Sequence, residues 1–231
     1  MRIGILRTDS VRPQWVEQYG EYPDMFECLL SSQDATLSFT TWNVEEGDYP
    51  ADPAEVDGYV ITGSKSSVYD DKQWIRDLED FVRRLYREQR KVVGICFGHQ
   101  LVAKALGGEV SKSPKGWGVG VNVYQRHGDS VGEGDTFQLL ASHQDQVMAT
   151  PKGAEIIASN AHCEIAGLRL GNSVLTFQGH PEFIPEYAEE IMRFRHDVIG
   201  AKRVEQGMAS LKTHEHQGSR IARWILDFFH G

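Results

Sequence analysis

The sequence has little that would indicate disulfide bonds or a membrane span. Its 231 residues include 3 cysteines, an odd and widely spaced set that does not suit a disulfide framework, so we expect a reducing compartment. No apolar run approaches the roughly 20 residues of a membrane helix, and the first residues, MRIGILRTDS, lack the pattern of a signal peptide. We therefore predict a soluble, cytoplasmic protein with no membrane partner.

Positive charge is also scarce. The chain has 24 Lys and Arg against 33 Asp and Glu, which gives a net charge of −9 with neutral histidines. A protein that binds a phosphate backbone needs a basic face, so nucleic acid is not expected as a partner. The basic residues between positions 83 and 91 fit either a local patch or, more simply, a solvated helix face.

What is present suits a globular chain, because 40% of the residues are hydrophobic. Strands are predicted at 2–7, 37–44, 59–61 and 91–96. Three predicted helices alternate with them: one at 22–30, one that begins after the candidate caps Asp70 and Asp71, and one at 99–106. Residues 109–177 suggest short antiparallel strands, and the pattern from Pro185 onward is helical. We predict a three-layer α/β/α sandwich with a mostly parallel central sheet and an antiparallel extension. Residues 1–231 are expected to form a single domain, with 185–231 as its C-terminal helical extension.

A cysteine stands at the end of one predicted strand, in Gly94-Ile95-Cys96-Phe97-Gly98. Glycines on both sides of a tight strand-to-helix turn are typical of a nucleophile elbow, here with cysteine as the nucleophile. The start of the helix favours a thiolate, and the Phe97 amide is placed to bind an oxyanion. A buried structural cysteine with chance glycines is the alternative. Cys28 and Cys163 lack such a setting and are expected to pack in the core.

A nucleophilic cysteine needs a base, and the base needs a group that orients it. The sequence Gln178-Gly179-His180-Pro181-Glu182 follows another predicted strand. Proline disfavours helix at His180, which keeps this residue extended at the strand end. Glu182, two positions later, can turn back to the imidazole and fix its tautomer.

These two motifs, ICFGHQ at 95–100 and QGHPEF at 178–183, resemble those of the class I glutamine amidotransferases. The resemblance extends to Thr62-Gly63-Ser64, although many members have Gly-Gly-Pro there, and to SHQDQV at 142–147, which is similar to a loop of the GMP synthetase glutaminase domain. It implies a flavodoxin-like fold and a Cys, His and Glu triad, with the following roles. Cys96 is the nucleophile, His180 the base and Glu182 the orienting group; Gly63 and Phe97 supply oxyanion amides; Gln100, Ser142, Gln144 and Asp145 hold the glutamyl end of the substrate.

The resemblance implies hydrolysis of a γ-glutamyl amide, either glutamine or a γ-glutamyl peptide, through a cysteine thioester, with no cofactor and no metal. The residues after Glu182 are too few for an ATP-pyrophosphatase domain, so we expect a stand-alone protein. One alternative is a subunit that passes ammonia to a separate synthetase. Another is a hydrolase similar to the plant γ-glutamyl peptidases, which act on glutathione conjugates. A third, of a different class, is a catalytically silent binding or regulatory module.

Other motifs are weaker. His143 and Asp145 suit a metal site or a second base less well than a loop that grips substrate through its backbone. His214 and His216 are two residues apart and lack the spacing of a helical zinc site. The glycines at 107–108 and 116–120 lack phosphate-loop spacing, so no ATP site is predicted. The last helix should bury Ile221, Trp224, Ile225 and Phe228, either in the core or at a homodimer or partner surface.

Overall fold

The computed structural model describes residues 1–128 and 131–231, and across these ranges the chain forms a nine-stranded sheet, a two-stranded sheet and flanking helices. The strands are β1 Arg2–Arg7, β2 Ser38–Asn43, β3 Gly58–Ile61, β4 Lys91–Ile95, β5 Glu109–Lys112, β6 Gly118–Arg126, β7 Thr136–His143, β8 Asp145–Ala149, β9 Glu155–Ser159, β10 Gly167–Leu170 and β11 Val174–Phe177. The helices are α1 Pro13–Tyr19, α2 Tyr22–Ser31, α3 Gln73–Arg87, α4 Phe97–Ala105, α5 Pro185–Phe194, α6 His196–Ile199, α7 Ala201–Thr213 and α8 Gly218–His230.

The large sheet has the order β2-β1-β3-β4-β11-β10-β9-β6-β7. Strands β2, β1, β3, β4 and β11 are parallel, and β10, β9, β6 and β7 add to them in antiparallel pairing. One face of the parallel part packs against α2 and α8, and the other against α3 and α4. The predicted α/β/α sandwich with an antiparallel extension is therefore confirmed.

The helices that cover the sheet do so with their apolar stripes. In α3 the buried side chains are Ile75, Leu78, Phe81, Val82 and Leu85, which recur at helical spacing, while Trp74 is only partly buried. In α8 the predicted set Ile221, Trp224, Ile225 and Phe228 is buried in the core. Core packing therefore accounts for the apolar face of the last helix.

Several boundaries differ from the sequence predictions. Helix α1 was not predicted, because its seven residues are too few to show a period. Helix α3 has Lys72 at its N-cap; Asp70 instead accepts a hydrogen bond from Ser67 N, and Asp71 pairs with Arg76. Helix α4 begins at Phe97, two residues earlier than expected.

The middle of the chain also differs from its prediction. Strands β6 and β7 have nine and eight residues, so they are not short, and β11 is a parallel strand beside β4 although it lies within the segment predicted to be antiparallel. The pattern misled because β11 is buried on both faces and reads as a plain apolar run, which does not reveal the direction of its neighbours.

Several of the basic residues at 83–91 make contacts within the protein. Arg83 pairs with Asp80 and Arg84 with Glu88, while Lys91 donates to the carbonyl of Phe228 near the end of α8. These contacts fit the solvated-face interpretation of the cluster.

A buried histidine ties α4 to the sheet. His99 Nδ1 lies 2.8 Å from the Thr176 hydroxyl of β11, and its Nε2 lies 3.1 Å from the carbonyl of Ile165. Burial lowers the pKa of His99 from 6.5 to about 4. The ring is therefore neutral in the folded protein at neutral pH, and it anchors the helix that follows Cys96.

This burial predicts acid sensitivity. The unfolded chain takes up a proton at His99 near pH 6.5, whereas the folded chain resists it until about pH 4, so the free energy of unfolding falls across that window and is unaffected above pH 7. His99 should contribute about 2 kcal/mol to the stability lost between pH 7 and pH 5. Urea unfolding at both pH values should show a smaller difference for His99→Leu than for the wild type. The exposed His127, changed to Gln, is the control, and an unchanged pH difference in His99→Leu would refute this account.

Candidate active site

The predicted site residues follow three adjacent parallel strands. Ile61 of β3 is opposite Gly94 of β4, and Ile95 of β4 is opposite Phe177 of β11. The carboxyl ends of these strands therefore meet at one edge of the sheet, where ligands of open α/β sheets bind. The segments that leave this edge carry Gly63, Cys96 and His180.

Cys96 occupies the strained turn that the sequence predicted. It joins β4 to α4 with φ 52° and ψ −100°, a conformation that costs a residue with a side chain about 1–3 kcal/mol. Its N–H donates to the carbonyl of Phe177 over 2.9 Å, and its carbonyl accepts from Gln100 N over 3.1 Å. The neighbouring strand and the helix thus hold the cysteine in place.

The two glycines around Cys96 allow α4 to lie close to β4 and to the end of β3. A Cβ on Gly94 would lie 2.5 Å from the carbonyl oxygen of Gly98, and a Cβ on Gly98 would lie 2.5 Å from that of Ile61. No side chain fits at either position unless the backbone moves. The G-x-C-x-G pattern therefore has a steric cause in this fold.

His180 and Glu182 form a buried pair beside Cys96. His180 Nδ1 lies 2.7 Å from Glu182 Oε1, and both side chains are 5% exposed or less. The backbone N–H of His180 donates to the carbonyl of Leu140 over 2.8 Å. The ring of Phe183 stacks on the imidazole with centroids 3.9 Å apart and planes 8° from parallel. The imidazole is fixed in position and orientation by these contacts.

The electrostatics of the pair favour a charged imidazole. Burial by itself would lower the pKa of His180, but the Glu182 carboxylate and the charge and hydrogen bond of Cys96 outweigh it and raise this pKa to about 10. At neutral pH the ring therefore holds a proton next to the cysteine sulfur, an arrangement that stabilises a thiolate.

Gly63 lies against both residues. A Cβ there would be 2.9 Å from His180 Cε1 and 3.7 Å from Cys96 Cβ. The Thr8 hydroxyl, at the end of β1, lies 2.9 Å from the Gly63 carbonyl, and Thr8 N donates to the Thr62 hydroxyl over 3.0 Å. Thr8 was not predicted, since it is far from Gly63 in sequence and carries no motif.

A cavity of about 200 Å³ opens over Cys96; we call it the main cavity. Its walls include the predicted residues Cys96, Gln100, Ser142, Gln144 and Asp145, while Gly63, Phe97, His180 and Glu182 are buried behind its surface. The walls also include Ser64, next to Gly63, and His143 of the SHQDQV loop, together with residues that the sequence did not single out: Lys65, Ser66, Ser67, Tyr69, Lys112, Trp117 and Arg195. These come from separate loops and strands, so no local spacing marks them.

Asp145 joins two walls of the main cavity. Its carboxylate accepts from the Ser67 hydroxyl over 2.5 Å and from the Tyr69 hydroxyl over 2.8 Å. Its carbonyl accepts from Gln100 Nε2 over 2.8 Å, and the same amide nitrogen donates to Gln178 Oε1 over 3.0 Å. With both amide hydrogens engaged, Gln100 retains its carbonyl oxygen as an acceptor.

His143 is a poor base in this setting. Burial, with the nearby His162, lowers its pKa to about 3, and its Nδ1 lies 3.2 Å from the Asp145 carbonyl. Within residues 1–128 and 131–231 no group of three or more His, Cys, Asp or Glu side chains is placed to hold a metal ion.

The other two cysteines differ from each other. Cys163 is buried, as expected, and burial raises the pKa of its thiol to about 12. The prediction that Cys28 packs in the core is wrong, because the structure exposes it. Helix α2 buries Phe26 and Leu30, and Cys28 is two positions from each, which places it on the other side of the helix.

Comparison with known proteins identifies the family of the chain. The family model for glutamine amidotransferase class-I matches residues 28–198. The chain belongs to the class I glutamine amidotransferase family. A glutamine amidotransferase-like protein of Schizosaccharomyces pombe is 35% identical to it over 206 residues, covering 83% of each chain.

Proteins with a peptidase name are also similar to this chain. Gamma-glutamyl peptidase 2 of Arabidopsis thaliana is 28% identical over 225 residues, covering 93% of this chain and 90% of that protein. The solved structure of a glutamine amidotransferase of Thermotoga maritima has the same fold as this chain, with a TM-score of 0.78 at 17% identity. The match covers 100% of this chain and 99% of that one. Among the described residues, no helix is both long enough and apolar enough to span a membrane.

Proposed function

We propose that this protein hydrolyses γ-glutamyl amides through a thioester on Cys96. The observation that carries the proposal is the pair of His180 and Glu182 beside a strained cysteine, with the pKa of His180 raised to about 10. The neutral His180 ring keeps its proton on Nδ1, towards Glu182, and can take the thiol proton at Nε2; the imidazolium that results and the helix start both stabilise the thiolate. The thiolate so formed is the nucleophile.

In this mechanism the Cys96 sulfur attacks the γ-carbonyl carbon, and the carbonyl electron pair moves to the oxygen. The amides of Gly63 and Phe97 bind this oxyanion; each such donor contributes on the order of 10²–10³ in rate. Phe97 is the first residue of α4, so its N–H has no partner within the helix. The oxyanion then collapses, the C–N bond breaks, and His180 gives its proton to the leaving amine.

The second half regenerates the enzyme. His180, now neutral, takes a proton from water as the water attacks the thioester carbonyl. The C–S bond breaks, glutamate leaves, and the thiolate–imidazolium pair is restored. Glu182 holds the ring through Nδ1 in both halves. Every step uses groups of the chain itself, so the proposal requires no cofactor and no metal.

The walls of the main cavity suit a γ-glutamyl group. The free carbonyl oxygen of Gln100 can accept from an α-ammonium group, since both hydrogens of its amide are engaged. Lys112 and Arg195 provide positive charge for an α-carboxylate on the same cavity, next to Ser142, Gln144 and Asp145.

A second cavity favours a peptidase as the alternative function. This cavity of about 590 Å³ adjoins the main one, sharing Lys65 and Arg195 as wall residues. Its walls include Trp15, Tyr22 and Phe194, so it has room and apolar surface for an amine leaving group larger than ammonia. Glutamine needs no such space. If glutamine is the substrate instead, the ammonia would pass to a separate synthetase.

The substrate class can be tested with purified protein in the cytoplasmic pH range. We expect turnover of glutamine, glutathione, a γ-glutamyl dipeptide or γ-glutamyl-p-nitroanilide. Dipeptide cleavage with a higher kcat/KM than glutamine hydrolysis supports the peptidase, and rapid glutaminase activity alone supports the amidotransferase subunit. If none of the four substrates is turned over and iodoacetamide does not modify Cys96, the catalytic proposal is refuted and the catalytically silent binding module is the remaining hypothesis.

A further inference from the structure

The segment between α7 and α8 reaches back to the candidate active site. His216, in this segment, lies beyond the residues that the family model matches. Its Nε2 lies 3.1 Å from the carbonyl oxygen of Pro181, the residue between His180 and Glu182. Its Nδ1 accepts a hydrogen bond from Leu140 N over 3.3 Å. His216 therefore bridges the catalytic segment and strand β7.

These contacts close a ring of hydrogen bonds. Leu140 receives the His180 N–H on its carbonyl and donates its own N–H to His216, and His216 donates to Pro181. The peptide that carries His180 is thus held at both ends, on its N–H side by β7 directly and on its carbonyl side through the imidazole of His216.

The bonding partners fix the protonation of His216. A backbone N–H can only donate, so Nδ1 has no proton, and a carbonyl can only accept, so Nε2 carries one. Burial lowers the pKa of His216, which favours this neutral form, although the Pro181 carbonyl and Glu182 oppose the shift. A second proton would put two N–H groups face to face at Leu140.

The neighbouring residues are built around the same contact. Gln217 N donates to the Gln138 carbonyl over 2.9 Å, and Gln138 N donates to Gln217 Oε1 over 3.1 Å, so the segment lies along β7. A Cβ on Gly218 would collide with the Pro181 carbonyl, and it would lie 2.6 Å from His216 Nε2. Only glycine allows the chain to pass there with the ring in place.

We propose that His216 is a positioning residue for the reaction, whose neutral ring links the Pro181 carbonyl to β7 and so sets the orientation of His180 towards Cys96. The inference rests on the proposed function. It gives a role to a histidine that the sequence alone left as a chance neighbour of His214. His216 touches neither the substrate nor the sulfur in this account; it acts through His180.

The rate of Cys96 alkylation as a function of pH tests this role without any substrate. The wild type and His216→Phe are treated with iodoacetamide between pH 5 and 9, and modification of Cys96 is followed by peptide mass spectrometry. Phe keeps an aromatic ring at this position and removes both hydrogen bonds. We expect the low-pH alkylation rate of Cys96 to fall by about 10-fold to 10²-fold, because a misplaced imidazolium stabilises the thiolate less. The exposed Cys28 reports general reactivity within the same sample.

The matched control is His214→Phe. His214 is exposed, two residues from His216, and contacts the Thr213 hydroxyl, so its variant should behave as the wild type. If His216→Phe does not fold, His216→Asn decides by the same criterion, since Asn is too short to bond both Leu140 and Pro181. If Cys96 is reactive in the wild type and the folded variant gives the same pH profile of Cys96 alkylation, the inference is overturned and the proposed function is not. A wild-type Cys96 no more reactive than Cys28 would overturn the proposed function and the inference together.

Discussion

Replacing Cys96 with Ala should remove nearly all γ-glutamyl hydrolysis. The loss expected for removing the nucleophile of such a triad is on the order of 10⁶-fold in kcat, because His180 and Glu182 contribute to this mechanism only together with the Cys96 sulfur. Initial rates on the best substrate of the panel, measured with enough enzyme to detect residual activity, check this. Persistent activity near the wild-type level would rule out a Cys96 thioester.

Folding of this variant can be judged from a paired substitution. Cys96→Ala keeps a side chain at φ 52°, whereas Cys96→Gly removes the steric cause of strain. Both variants should be inactive, yet the glycine variant should be more stable than the alanine variant by about 1 kcal/mol, which is the lower end of the cost of such a backbone conformation. Urea unfolding distinguishes them. If both variants are inactive and Cys96→Gly is the more stable one, the loss of activity comes from the missing sulfur and not from the strain of the turn.

Replacing Glu182 with Gln should lower kcat by about 10³-fold to 10⁴-fold, as for other triads whose carboxylate is made neutral. Gln can still accept from His180 Nδ1, so the geometry survives. The negative charge that raises the pKa of His180 to about 10 is lost, however, and that pKa should move down towards its ordinary value. The ring then loses its proton at lower pH, so the thiolate–imidazolium pair should disappear from the alkaline side of the pH–rate profile first.

The stability of Glu182→Gln should change less than its rate. A raised His180 pKa stabilises the folded state fully below about pH 6.5, and this contribution is lost as the pH rises through about 10, so the stability that the variant loses should be largest near and below pH 6.5 and should shrink towards pH 10. Thermal melts and rates measured at the same pH compare the two effects, with the exposed Glu186→Gln as control. A melting temperature that collapses while the residual kcat stays normal would contradict the orienting role.

The sequence predicted the parts of the site whose signals are local. The glycines around Cys96 show the elbow because α4 lies so close to β4 and β3 that side chains have no room at Gly94 and Gly98. His180 and Glu182 are two residues apart, so their hydrogen bond needs no knowledge of the rest of the fold. The order of strands and helices also followed from hydrophobic spacing, since apolar strands in a parallel sheet are buried on both faces.

The remaining features depend on contacts between distant parts of the chain. The bond from Thr8 to Gly63 spans 55 positions and that from His216 to Pro181 spans 35, and neither has a local pattern. Cys28 was misplaced because an apolar stretch does not show which side of a helix faces the core. The lining of the main cavity by Lys112 and Arg195 likewise depends on how separate strands and helices come together.

The most direct measurement is covalent labelling with an electrophilic glutamine analogue, followed by mapping of the modified peptide. The protein has three cysteines, of which Cys28 is exposed and Cys163 is buried with a raised thiol pKa, so each provides an internal reference. The account predicts modification of Cys96, loss of activity in proportion to that modification, and protection by the γ-glutamyl substrate. Labelling of Cys28 alone, or inactivation that leaves the Cys96 peptide unmodified, would contradict it.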